Sequence, residues 1–141
     1  MQVRHILRDK GREVFTVAAD ATLREAARQL TRRHIGALVI REPDGNLGVL
    51  SERDIVRAIA GDAGALDQPV SAHMTRVVET CAESDSIESL METMTNRRLR
   101  HLPVVEESRL CGLVSIGDVV KSRIEETVRE AESLREYIAA G

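Results

Sequence analysis

The sequence predicts an α/β fold of the α+β type, a β-α-β-β-α unit written twice and followed by an extended C-terminal helix. Three observations predict it. The stretch Gly48-Val49-Leu50-Ser51-Glu52-Arg53-Asp54 returns sixty-four residues later as Gly112-Leu113-Val114-Ser115-Ile116-Gly117-Asp118, and the same shift pairs Val14 with Val78, Thr16 with Thr80, Arg33 with Arg97 and Leu38 with Leu102. Leu23, Ala26, Ala27 and Leu30 recur as Ile87, Leu90, Met91 and Met94, the i, i+3, i+4, i+7 signature of a helix with one buried face. An apolar stripe of Ile116, Val119, Ile124, Val128, Ala131, Leu134 and Ile138 then runs through the last part of the chain.

Residues 1–13 read as a lead-in, with a turn at Asp9-Lys10-Gly11. Val14-Phe15-Thr16-Val17 reads as a short strand. Asp20 or Thr22 caps the helix that follows, Thr22 with Glu25 having capping-box spacing, and the helix ends near His34. Residues 37–40 and 47–50 form a hairpin around the turn Pro43-Asp44-Gly45-Asn46. Ser51 caps the next helix with Asp54 at its third position, and Ile55, Val56 and Ile59 supply its buried face. Gly61, Gly64 and Pro69 mark a loop. The order then repeats: Val77-Val78 before Thr80, a helix over 86–97, strands near 102–105 and 110–114, and a helix capped by Ser115. Residues 1–62 thus make the first unit with its lead-in, 63–123 the linker and second unit, and 124–141 a helical extension. Each unit is too small for a robust core alone, so the two are expected to bury their apolar faces together. A helix of twenty or more residues, rising about 1.5 Å per residue, outruns so small a core. Its apolar stripe needs either the lead-in or a second subunit, and a homodimer is the expectation.

Composition removes several function classes. The 20 Lys and Arg against 23 Asp and Glu, net charge -3, argue against a general polyanion binder. Phe15 and Tyr137 are the only aromatic residues, so no stacking platform for single-stranded nucleic acid exists. No apolar run reaches membrane-span length and the first residues lack a secretory pattern, which makes a soluble cytoplasmic protein the expectation. Cys81 and Cys111 read as reduced, partly buried side chains. His5, His34, His73 and His101 lack zinc-motif spacing, so no metal is expected.

The repeated Gly-x-x-Ser-x-x-Asp motif places glycine in a strand, serine at the strand-to-helix junction and aspartate one turn inside the helix. Glycine permits close approach, the hydroxyl and free helix amides can meet phosphate oxygens, and a carboxylate can accept from adjacent ribose hydroxyls. The competing reading is that Ser51 and Asp54 only cap their helix. Neither pair is set up for catalysis, because a serine nucleophile needs a base oriented by a third group. The protein is not expected to be an enzyme.

Together with Leu102-Pro103-Val104-Val105 and the strands before each motif, these two copies resemble the CBS-domain family, as a stand-alone tandem pair covering about residues 5–123. The resemblance implies CBS motifs related by pseudo-twofold symmetry, with clefts for adenine nucleotides: AMP or NAD foremost, ATP or ADP as further candidates, and S-adenosylmethionine in some relatives. It implies base and sugar contacts at Thr16, Val17, Ile35, Gly36 and Ala37, phosphate contacts at Ser51 and Arg53, and ribose binding at Asp54. In the second half Thr80, Cys81, Leu99, Arg100, His101, Ser115 and Asp118 match these positions. The halves differ: Arg53 becomes Gly117, and Gly36-Ala37 becomes Arg100-His101. Phosphate charge in the second half would come from Arg98, Arg100 and Lys121, although Arg97-Arg98-Leu99-Arg100 also reads as an ordinary surface run. The function implied is a non-catalytic regulatory module that binds an adenine nucleotide and signals by conformational change to an unidentified regulated protein. The alternative is a constitutive homodimeric scaffold with vestigial clefts, and nucleic-acid binding is a weaker third class.

Overall fold

Hydroxyl caps divide the chain where the sequence places them. In the computed structural model, which describes residues 1–140, the chain forms two compact units. One is continuous, Val14–Val78, and the other joins Met1–Glu13 to the chain from Glu79 onward.

In the continuous unit, β1 (Thr16–Ala18) leads to α2 (Leu23–Arg33), while α1 (Val3–Lys10) lies earlier, in the other unit. The Thr22 hydroxyl accepts the Glu25 N–H at 3.2 Å, and His34 ends the helix in the left-handed conformation. β2 (Ala37–Arg41) and β3 (Leu47–Ser51) form the hairpin, and α3 (Glu52–Gly61) follows. Two 3-10 turns, Ala63–Asp67 and Val70–Ala72, bring the chain back to β4 (Thr75–Arg76). The sheet order is β1-β2-β3-β4, with β1 parallel to β2 and the other pairs antiparallel. Leu23, Ala26, Leu30, Leu38, Ile40, Leu50, Ile55, Ala65 and Val70 form the core. Because strand side chains alternate faces while β2 and β3 bury consecutive residues, this hairpin is covered on both sides.

The second unit begins with α1 (Val3–Lys10), which buries Val3, Ile6 and Leu7. It continues with α4 (Ile87–Arg97), β5 (His101–Glu106), β6 (Arg109–Ser115) and α5 (Ile116–Ala140). Ser86 caps α4 by accepting from the Ser89 N–H. β5 and β6 pair antiparallel, with an irregularity between Val104 and Val105. The α1 residues share one core with Cys81, Ile87, Leu90, Met94, Leu102, Val104, Val114 and Val119.

Four expectations need correction. The lead-in is a helix to Lys10 rather than a turn at Asp9-Lys10-Gly11, and it stops at Gly11, whose φ of 99° only glycine adopts readily. It packs in the unit of the second repeat. The strand expected at Val77-Val78 lies earlier, as β4, and pairs with β3, while Val78 is exposed. The second counterpart of β1 shrinks to one parallel bridge, Cys81 to Val104. Ile55 is buried as expected, but Val56 and Ile59 are exposed at 67% and 41%. The hydrophobic face of α3 is therefore wider than the unit covers.

Candidate functional site

In the continuous unit, β3 ends on Ser51, whose extended backbone turns the chain into α3. The Ser51 hydroxyl accepts the Asp54 N–H at 3.3 Å, and Asp54 Oδ2 accepts the Ser51 N–H at 2.8 Å and its hydroxyl at 3.1 Å. This is a reciprocal capping box, so the cap reading holds. It uses one carboxylate oxygen. The other, Oδ1, has the exposed Arg57 guanidinium at 3.8 Å. The segment 35–37 is tied to the same turn: the Glu52 N–H donates to the Gly36 carbonyl at 3.0 Å, and Ala37 stands opposite Ser51 in the β2–β3 register. Thr16 and Val17 lie one strand further, opposite Val39 and Ile40. Ile35, Val17 and Ala37 are half-buried, whereas Thr16, Gly36 and Arg53 are exposed.

The second unit repeats the two backbone bonds of this turn. The Ser115 hydroxyl accepts the Asp118 N–H at 3.1 Å, and Asp118 Oδ2 accepts the Ser115 N–H at 2.9 Å. The Ile116 N–H donates to the Arg100 carbonyl at 2.8 Å, and His101 stands opposite Ser115. Arg98 takes the left-handed position held by His34, which places Leu99 and Arg100 where Ile35 and Gly36 stand in the other unit.

Two differences are chemical. Lys10 Nζ donates to Asp118 Oδ2 at 2.7 Å and to the Leu113 carbonyl at 2.9 Å. Burial alone would raise the Asp118 carboxyl, but the bonds from Lys10 and Ser115 outweigh it and hold the group below the ordinary carboxylate value. Cys81, which matches Val17, is buried in the core, with its thiol toward the Pro103 carbonyl at 3.7 Å. Burial, reinforced by Asp85 and Glu106, pushes that thiol up to about 12, so it is an inert packing group. Thr80, just before it, is exposed.

Both glycines of the motif admit side chains from outside the repeat. A Cβ on Gly48 would overlap the Met74 sulfur, and one on Gly112 would lie 2.6 Å from Leu7 Cδ2. Neither Leu7, Lys10 nor Met74 stands out in the sequence, because all three lie outside the repeated motif they pack against, Leu7 and Lys10 well before Gly112–Asp118 and Met74 well after Gly48–Asp54.

Each unit also carries an open groove on its helical side. A cavity of about 700 Å³ is lined in part by Leu30, Ile35, Gly36, Glu52, Ile55 and Val56. One of about 660 Å³ in the other unit is lined in part by Arg100, Ile116, Val120, Lys121 and Ile124. The first takes in Ile35 and Gly36 of the expected site residues but not Thr16, Val17, Ser51 or Asp54; the second takes in Arg100 and Lys121 but not Asp118. Among the described residues no His, Cys, Asp and Glu cluster is arranged to hold a metal ion, and no helix is long and apolar enough to cross a membrane.

Comparison with known proteins agrees with this geometry. A CBS-domain protein from Agrobacterium tumefaciens superposes with a TM-score of 0.79 at 47% identity, over 86% of this chain and 92% of that one. A CBS domain protein from Pyrobaculum aerophilum, solved in complex with AMP, gives a TM-score of 0.72 at 30% identity, over 84% and 89%. The mitochondrial CBS domain-containing protein CBSX3 of Arabidopsis thaliana is 29% identical over 96% of this chain and 71% of its own length. The model of the CBS domain matches residues 3–61 and 70–125. With two matched copies of one turn, and a family model spanning most of the sequence, the chain belongs to the CBS domain family, a non-catalytic class, as a tandem pair.

Proposed function

We propose that the chain is a non-catalytic regulatory module that binds an adenine nucleotide at its Ser-x-x-Asp turns and passes the occupied state to a partner protein. The observation that carries this reading is the turn built from the same two backbone bonds in both units, with a strand segment fixed beside a capped carboxylate. Within the continuous unit, Val17, Ile35 and Ala37 supply apolar surface for the base, Asp54 Oδ1 accepts from ribose, and Ser51, the first amides of α3 and Arg53 receive phosphate. A relative solved with AMP supports the nucleotide class. In the second unit Arg98, Arg100 and Lys121 are the candidate phosphate cations, with Thr80, Leu99 and His101 beside them. AMP or NAD fits best, with ATP and ADP as further candidates. The two free cysteines suit a reducing compartment such as the cytoplasm.

Calorimetric titration of adenosine, AMP, 2′-deoxy-AMP, NAD and ATP tests the reading. AMP is expected to bind, and loss of the 2′-hydroxyl or of the phosphate is expected to weaken binding by separate increments, with no turnover. Equal affinity for AMP and a ligand lacking both adenine and ribose hydroxyls would overturn it, and no binding at all would leave the scaffold reading.

Homodimerisation belongs to the same proposal. The lead-in reaches α5 at Met1, where the Ser122 hydroxyl meets the Met1 sulfur at 3.3 Å. Beyond Ser122 no α5 side chain is buried, and Ile124, Val128, Leu134 and Ile138 are exposed at 50–68%. A second copy covering Val120 and this stripe would remove them from water. Truncation after Arg123 deletes no buried side chain, so the shortened protein is expected to fold. Sedimentation over a concentration series should then show a dimer weakened by on the order of tenfold or more. Full dimerisation by the truncated chain would place the interface elsewhere.

A further inference from the structure

We propose, on the basis of the dimer reading above, that the outer part of α5 pairs with the same helix of a second copy as a parallel coiled coil, its direction set by Glu130 of one copy facing the partner's Arg135. From Val120 the apolar stripe advances in alternating steps of four and three residues, through Ile124, Thr127, Ala131 and Leu134 to Ile138. That spacing makes a narrow seam for one partner helix rather than the broader face that packs on a core. The seam points away from its own unit: Val119 and Ser122 are buried there, whereas Ile124, Leu134 and Ile138 are exposed at 59%, 60% and 68%. Thr127, the one polar member, donates its hydroxyl to the Arg123 carbonyl at 3.0 Å. The donor is satisfied within the helix, so a partner can cover the threonine methyl group without orphaning it.

Charge chooses the direction. Glu130 lies on one side of the seam and Arg135 on the other, and both are exposed. In a parallel pair aligned residue on residue, a residue flanking the seam faces the opposite flank of the partner, one step nearer the C-terminus. Glu130 then meets the partner's Arg135 twice, once from each copy. Arg123 falls beside the partner's Val128, and no like charges meet along the seam. Reversing one helix while keeping the apolar layers matched sets Ile124 on the partner's Leu134 and Val120 on the partner's Ile138. The same reversal sets Glu130 against the partner's Glu130, and Lys121 against the partner's Arg135 at both ends of the pair. Two attractive contacts on one side and three repulsive ones on the other favour the parallel arrangement.

Sedimentation of the full chain over a concentration series at low salt tests the direction by exchanging charges. Arg135→Glu is expected to weaken the dimer on the order of tenfold, since it turns both attractive pairs repulsive. Glu130→Arg is expected to do the same, and the double variant Glu130→Arg with Arg135→Glu to regain the parent's affinity. Positions 130 and 135 do not face each other on one helix, so that recovery reports contact between copies rather than a repaired helix. Both positions are exposed, and circular dichroism checks that each variant keeps its helix. An Arg135→Glu dimer tighter than the parent's would overturn the inference in favour of the reversed pair, where the new carboxylate would meet Lys121. Unchanged affinity in both single variants, or no recovery in the double, would overturn it too while leaving the dimer reading standing. A parent that stays monomeric across the series would remove both.

Discussion

Asp54→Ala is expected to lower AMP affinity by at least about tenfold, because a hydrogen bond to a charged group contributes about 1.5–3 kcal/mol and ribose offers two hydroxyls. The same substitution breaks the capping box, which should cost about 1 kcal/mol of stability. Asp54→Asn separates the two effects. Its side-chain oxygen can still accept the Ser51 N–H, so stability is expected to recover more than binding does. Calorimetric titration beside denaturant unfolding measures both quantities on each variant. A folded Asp54→Ala that binds AMP as tightly as the parent would show that the carboxylate is a cap and nothing more.

Leu7→Ala is the second large effect, expected at about 2–5 kcal/mol as for other buried leucines. The residue sits in a helix that sequence reading treats as a lead-in, so the size of the loss measures how firmly α1 belongs to the second core. Its partner gives a sharper test. A Cβ on Gly112 would overlap Leu7, but with Leu7 cut to alanine that methyl group would enter the space left behind. The double variant Leu7→Ala with Gly112→Ala is therefore expected to be more stable than the sum of the two single losses predicts. Strict additivity in denaturant unfolding, or a Leu7→Ala midpoint equal to the parent's, would mean that α1 does not dock on β6.

What the sequence makes legible is whatever its periodicity repeats. The helices capped by Thr22, Ser51, Ser86 and Ser115, and both hairpins, fall within a residue or two of expectation, because a hydroxyl cap and an apolar period are local signals. The start of α1 stays hidden because Val3, Ile6 and Leu7 span little more than one turn. Val56 and Ile59 mislead for the opposite reason: they continue a helical period on a face the unit leaves uncovered. At the candidate site, Ser51, Asp54, Ser115 and Asp118 and the segments beside them are readable and come together as turns. Lys10 is not readable, since its meeting with Asp118 is made by the packing of Leu7 rather than by any spacing along the chain.

The discontinuous unit sets an order for making the protein. As the chain leaves the ribosome, everything needed for Val14–Val78 has emerged while β6 and α5 are still unmade, so this unit can form first. Helix α1 is made before the continuous unit yet docks after it, because Lys10 meets Asp118 across 108 positions. Until then Val3, Ile6 and Leu7 have no core to enter and stay exposed to water. Folding of the intervening unit then helps, since it draws the two ends of a long loop together and lowers the entropy cost of their final docking.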